Sequence, residues 1–72
     1  MMDLHLPLAV AVSERGAVTI DSGSRTIAMS PFSERAKRLT LEFGPGTFVF
    51  ATQRDVEDLP VHTLTEIVEA LA

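Results

Sequence analysis

Seventy-two residues without a cysteine, with a formal charge of −4 and a pI near 4.9, suit one small domain over 1–72 and exclude a disulfide framework, a thiolate metal site or a cysteine nucleophile. The acidity argues against general nucleic-acid affinity, which draws on excess positive charge. Apolar residues make up 46% of the chain, more than so thin a body hides alone, so some are expected to face a partner.

Leu4, Leu6, Leu8, Val10 and Val12 alternate with His5, Pro7, Ala9 and Ala11, a period of two that predicts a strand near 4–12. Pro7 has no N–H, which puts the first half of that strand at a sheet edge. Gly16 sits where a three-residue hairpin loop needs a left-handed residue. That loop sets Ser13 opposite Ala17, Val12 opposite Val18 and Val10 opposite Ile20, so strand two runs near 17–21. A turn at Asp21-Ser22-Gly23-Ser24 leads into a third strand near 25–29. A two- or four-residue loop there keeps Ile27 and Met29 on the face of Val18 and Ile20, whereas a three-residue loop turns them out.

Ser30 and Pro31 form a cap and first position for a turn or two of helix, with Phe32 as buried anchor and Glu34 and Arg38 at i,i+4. An irregular loop is the alternative for 30–38. Leu39, Leu41 and Phe43 then alternate, predicting a strand near 39–43, and Gly44-Pro45-Gly46 turns the chain into a fifth strand near 47–51. The expected pairs are Phe43 with Phe48 and Leu41 with Phe50. Val49 and Ala51 point to the opposite face, making that strand apolar on both sides and Val49 and Ala51 a candidate apolar interface. The last segment reads as a helix near 59–71, capped by Asp58 or by a Thr63–Glu66 box, with Val61, Leu64, Ile67, Val68 and Leu71 on its buried stripe.

The fold expected is α+β: a five-stranded antiparallel sheet, a meander plus a hairpin, curved or partly barrel-like, with one C-terminal helix over its apolar face. A small SH3-like or OB-like barrel is the alternative. From residue 24 to 71, the order of strand, short link, Leu-Thr-Leu-Glu-Phe, glycine turn, Thr-Phe-Val-Phe and a proline before a helix resembles small KTSC-type domains. The first hairpin lies outside that pattern, and no residue role is carried over.

Little in the sequence sets up covalent chemistry. His5 and His62 titrate near neutrality, but no serine stands in a nucleophile-elbow context and the two histidines lack the i,i+4 spacing of a zinc helix. Gly44-Pro45-Gly46 is followed by a strand and no lysine, unlike a phosphate-binding loop. No cofactor, metal or catalytic residue is expected, and an enzyme or metal protein is the third-ranked class.

Charge placement is more informative. Residues 1–54 carry a net +1 and residues 55–72 a net −5, from Asp55, Glu57, Asp58, Glu66 and Glu69 with no lysine or arginine. Some of these carboxylates suit a helix N-terminus; together they form a candidate acidic contact for a basic partner. Arg35, Lys37 and Arg38 form the opposite pole, a candidate contact for phosphates or an acidic partner. The stacking aromatics of a single-strand binder are missing beside it. Phe48 and Phe50 would serve only on an open sheet face, and the helix is expected to occupy that face.

The leading functional expectation is a non-enzymatic protein–protein interaction module. It acts as a homodimer or as a small adaptor or inhibitor docked on a larger complex, for instance a mobile-element protein blocking a host nucleoprotein machine. The second is a nucleic-acid-associated module using Arg35, Lys37, Arg38 and Arg25. Asp3 in place of an N-terminal positive charge, Pro7 and the absence of any ~20-residue apolar run predict no signal peptide and no membrane span, and the lack of cysteine suits a reducing cytoplasm.

Overall fold

A computed structural model describes residues 6–23 and 25–72. The elements run β1 (Leu8–Val12), β2 (Val18–Ser22), β3 (Arg25–Met29), α1 (Glu34–Phe43), β4 (Phe48–Ala51), α2 (Gln53–Glu57) and α3 (Val61–Leu71). The chain is α+β. Among the described residues its antiparallel sheet has four strands in the order β3-β2-β1-β4 and is open, so both the fifth strand and the barrel-like closure are corrected.

The meander forms as its turn chemistry dictates. Ser13 N–H donates to the Ala17 carbonyl at 2.8 Å and Gly16 N–H to the Ser13 carbonyl at 3.0 Å, closing the three-residue loop with Gly16 at φ +92°. Val12 pairs with Val18 and Val10 with Ile20. On β2 and β3, Ile20 pairs with Ile27 and Val18 with Met29, the register that a two-residue loop gives. The expected strand near 4–12 shrinks to Leu8–Val12: Leu6 and Pro7 precede it, and residues 4 and 5 lie outside the described residues. β1 is central in the sheet, so Pro7 precedes an interior strand instead of marking an edge.

The larger correction concerns 30–43. Ser30 closes a turn through Phe32 N–H, and Ser33 caps α1 by accepting from Ala36 N–H. Phe32, expected as a buried anchor, is 85% exposed. Leu39–Phe43 is helix, not strand, and its alternation does not describe its burial: Leu39 is buried while Leu41 is 87% exposed. Ala36, Leu39, Thr40 and Phe43 supply the helical stripe instead. Gly44 ends the helix at φ +94°, its N–H on the Thr40 carbonyl. The Phe43–Phe48 and Leu41–Phe50 pairs are therefore absent. β4 crosses to the far side of the sheet and pairs with β1, Val10 opposite Val49 and Ala9 opposite Phe50.

α2 is a turn of helix with no counterpart in the sequence expectation, and Asp58 closes it instead of capping the next helix. α3 starts after Pro60. The core lies between one sheet face and the helices: Leu8, Val10, Val12, Val18, Ile20 and Ala51 meet Ala36, Leu39, Val56, Ile67 and Leu71. This is a two-layer packing with a single covered sheet face. Among the described residues, no helix is long and apolar enough to cross a membrane.

Candidate interaction surface

Part of each charged pole of the sequence meets the other at the surface, between α1 and α3. Arg38 grips Glu66 with two donors, Nε to Oε2 and Nη2 to Oε1, the second at 3.2 Å. Arg35 Nε donates to Glu66 Oε1 at 3.0 Å, and its Nη2 reaches Glu69 Oε1 at 3.3 Å. The forked guanidinium suits this geometry, since it presents parallel donors to both carboxylate oxygens. The Arg38 donors, helped by Arg35, hold the Glu66 carboxyl below its ordinary pKa, and Glu66 in return raises that of Arg38. Lys37 stands 4.0 Å from Glu34 on its own helix.

The remaining acids are dispersed. Asp55 accepts from the N–H and hydroxyl of Thr52, both at 2.9 Å, and these bonds, the backbone one first, lower its pKa. Glu57 takes a bond from Gln53 at 3.3 Å, and Asp58 sits exposed at the end of α2. Of the five candidate acidic contacts, Glu66 and Glu69 are thus committed to the helix pair and Asp55 to its own cap. Of the candidate basic contacts, Arg35 and Arg38 are committed likewise.

His62 and Thr63 also converge. His62 Nε2 and the buried Thr63 hydroxyl both lie 2.9 Å from Glu42 Oε1, beside an open groove of about 270 Å³. The threonine bond, then the histidine bond, lower the Glu42 pKa. A nucleophile would hand its proton to an imidazole that a carboxylate orients. Here the hydroxyl donates its hydrogen bond to the carboxylate and the imidazole meets the same oxygen, an arrangement that differs from that relay and ties α1 to α3. No group of three or more metal-ligating side chains occurs among the described residues. His5 lies outside them.

The exposed apolar side chains of β4 lie on the other face from the one expected. Val49 is half-buried and Ala51 is buried in the core, so these two candidates are corrected. Phe48 and Phe50 point away from the helices and are 67% and 60% exposed. They border a shallow depression of about 350 Å³ floored by Ala9, Ala11, Thr19 and Thr26, with Asp21 at its side. The register explains the shape: Phe50 stands opposite Ala9 and Phe48 opposite Ala11, so a ridge of rings flanks a strip of methyl groups. Sequence reasoning placed the helix over this face. The β1–β4 pairing, with Leu8 and Val10 opposite Ala51 and Val49, turns both rings outward, and no local pattern in the sequence announces that pairing.

No family model, curated protein or solved structure matches the chain. Its surfaces therefore speak from their own chemistry, and among the described residues the sheet face opposite the helices exposes two aromatic rings side by side, Phe48 and Phe50.

Proposed function

We propose that the chain is a non-enzymatic protein–protein interaction module that docks through the open face of its sheet, with Phe48 and Phe50 as anchors. The observation that carries this reading is the exposure of both rings on the one sheet face without helices. Aromatic residues, phenylalanine among them, are enriched at protein–protein interfaces relative to the rest of the surface. The chemistry of the floor favours protein over nucleic acid: among the described residues, methyl and hydroxyl groups surround one carboxylate, Asp21, and no cation lines the depression. The nucleic-acid alternative loses support because Arg35 and Arg38 are already paired with Glu66 and Glu69. A homodimer and a small adaptor or inhibitor on a larger complex both fit this surface.

Affinity capture and sedimentation with three proteins test the reading: wild type, Phe48→Ser/Phe50→Ser and Arg35→Ala/Arg38→Ala. The expected result is a stoichiometric protein contact, with itself or another chain, that the phenylalanine variant loses and the arginine variant keeps. Retention of nucleic acid that falls steeply with salt and disappears with the arginines would overturn it.

A further inference from the structure

The sheet is also open along the outer margin of β4. In the order β3-β2-β1-β4, β4 has β1 on one side and no strand on the other among the described residues. The direction of its main-chain groups follows from one hydrogen bond: Val12 N–H donates to the Thr47 carbonyl at 2.7 Å. Successive residues of an antiparallel strand alternate the side to which their N–H and C=O point. Thr47, Val49 and Ala51 therefore face β1, and the main-chain groups of Phe48 and Phe50 face outward. β1 obeys the same parity, since Ser13 N–H goes to Ala17 on the opposite side. The two residues with exposed rings thus also offer the unpaired donors and acceptors.

This margin has few of the features that block strand addition. Edge strands are commonly protected by charge or by proline within the strand, yet residues 43–52 contain no charged side chain and Pro45 precedes β4. Two copies of net charge −4 repel one another, but residues 43–52 carry no charge themselves. The nearby carboxylates of Glu14, beside Gly46, and Asp55, on the Thr52 N–H, stand at the two ends of the margin and leave Phe48 to Phe50 clear.

We propose that β4 pairs antiparallel with β4 of a second copy, joining two four-stranded sheets into one of eight. This rests on the reading of the Phe48 and Phe50 surface as the contact and names its occupant. Parity and chemistry select one register. Phe48 meets Phe50 of the second copy, Phe50 meets its Phe48, and the twofold axis passes between the two Val49 residues. Four main-chain hydrogen bonds form, and four rings become contiguous on the open face. A slip of one residue sets an outward-facing group against an inward-facing one. A slip of two toward the C-terminal end needs the Thr52 N–H, which Asp55 already holds at 2.9 Å. The opposite slip needs Gly46, which is in a turn at φ +74°. The contact is isologous, as a closed dimer requires. A strand this short buries less than a standard interface, so the dimer is weak, with a Kd on the order of 100 µM.

Amide hydrogen exchange across a concentration series, with sedimentation in parallel, tests the pairing. For such a Kd, the Phe48 and Phe50 amides slow about fourfold between about 10 µM and about 1 mM, as monomer gives way to dimer. The Val49 and Ala51 amides, bonded to β1, do not change with concentration. Phe50→Lys keeps the Val49 amide protected, remains monomeric and leaves the Phe48 amide fast throughout; Phe48→Thr provides the same control if the lysine variant fails to fold. A chain that stays monomeric at about 1 mM overturns self-pairing, and so does a dimer whose Phe48 and Phe50 amides exchange freely, which would be packed face to face. Protection of those amides only by a different protein also overturns self-pairing while upholding the interaction-module reading.

Discussion

Phe50 of β4 stands directly opposite Ala9 of β1 on the sheet face that the helices leave bare. The ring overhangs a methyl group and is 60% exposed, so it stabilises the monomer little compared with a core side chain. Phe48→Ser/Phe50→Ser is expected to cost under about 1 kcal/mol of folding stability in a denaturant titration. The same variant should bind less of a dye that reports exposed apolar surface. A loss of several kcal/mol would mean that the rings belong to the core.

Leu39 and Leu41 give the sharpest test of α1. In a strand both would share the buried face; in the helix Leu39 is buried and Leu41 exposed. Leu39→Ala is expected to cost about 2–5 kcal/mol. That is a large part of the total available to a chain this size, at about 0.05–0.15 kcal/mol per residue. Leu41→Ala should fall within about 0.5 kcal/mol of wild type. Equal losses for the two variants would restore the strand.

The contrast between the first and second halves of the chain shows which interactions a sequence makes legible. In the meander, loop length, Gly16 and the alternation of Val10, Val12, Val18 and Ile20 all require one register, and each is local. At 34–43, three alternating apolar residues fit a strand, while Ala36, Leu39, Thr40 and Phe43 fit a helix. Leu39 and Phe43 belong to both patterns. The helix formers Glu34, Arg35, Ala36, Lys37 and Arg38 tip the balance, as does Ser33 at the cap. The partner of β4 is set by a crossover that no short-range signal encodes. Nor does composition fix the orientation of β4, because Phe48 and Phe50 are as apolar as Val49 and Ala51. The opposite charges at 35–38 and 66–69 are visible as runs, but their mutual pairing depends on α1 lying beside α3.

Gly16 isolates the energetics of the first turn. Its φ of +92° disfavours any residue with a Cβ, while the nearest atom that a Cβ would meet, Thr40 Oγ1, is 3.6 Å away, an ordinary contact. Gly16→Ala is therefore expected to destabilise through backbone strain alone, by about 1–2 kcal/mol. Gly16→Asn should cost less, since asparagine tolerates positive φ better. A neutral alanine variant would show that the loop relaxes to another turn.

Glu66 links the fold to pH. Its folded pKa is lowered, first by the Arg38 hydrogen bonds, so the stabilisation it contributes is fully present above the unfolded carboxyl value of about 4.3. It is lost as pH falls through that value toward the lower folded one. Glu42, lowered by Thr63 and His62, and Asp55, lowered by Thr52, act in the same direction. Wild-type stability should therefore be level near neutrality and decline below about pH 5. Glu66→Gln keeps the shape and removes the charge. It is expected to be less stable than wild type at neutral pH, to lose less on acidification and to approach the wild-type value at the acid end of the series. Denaturant midpoints measured at each pH decide the matter: two parallel curves would show that the Arg38–Glu66 pair contributes nothing to the acid response.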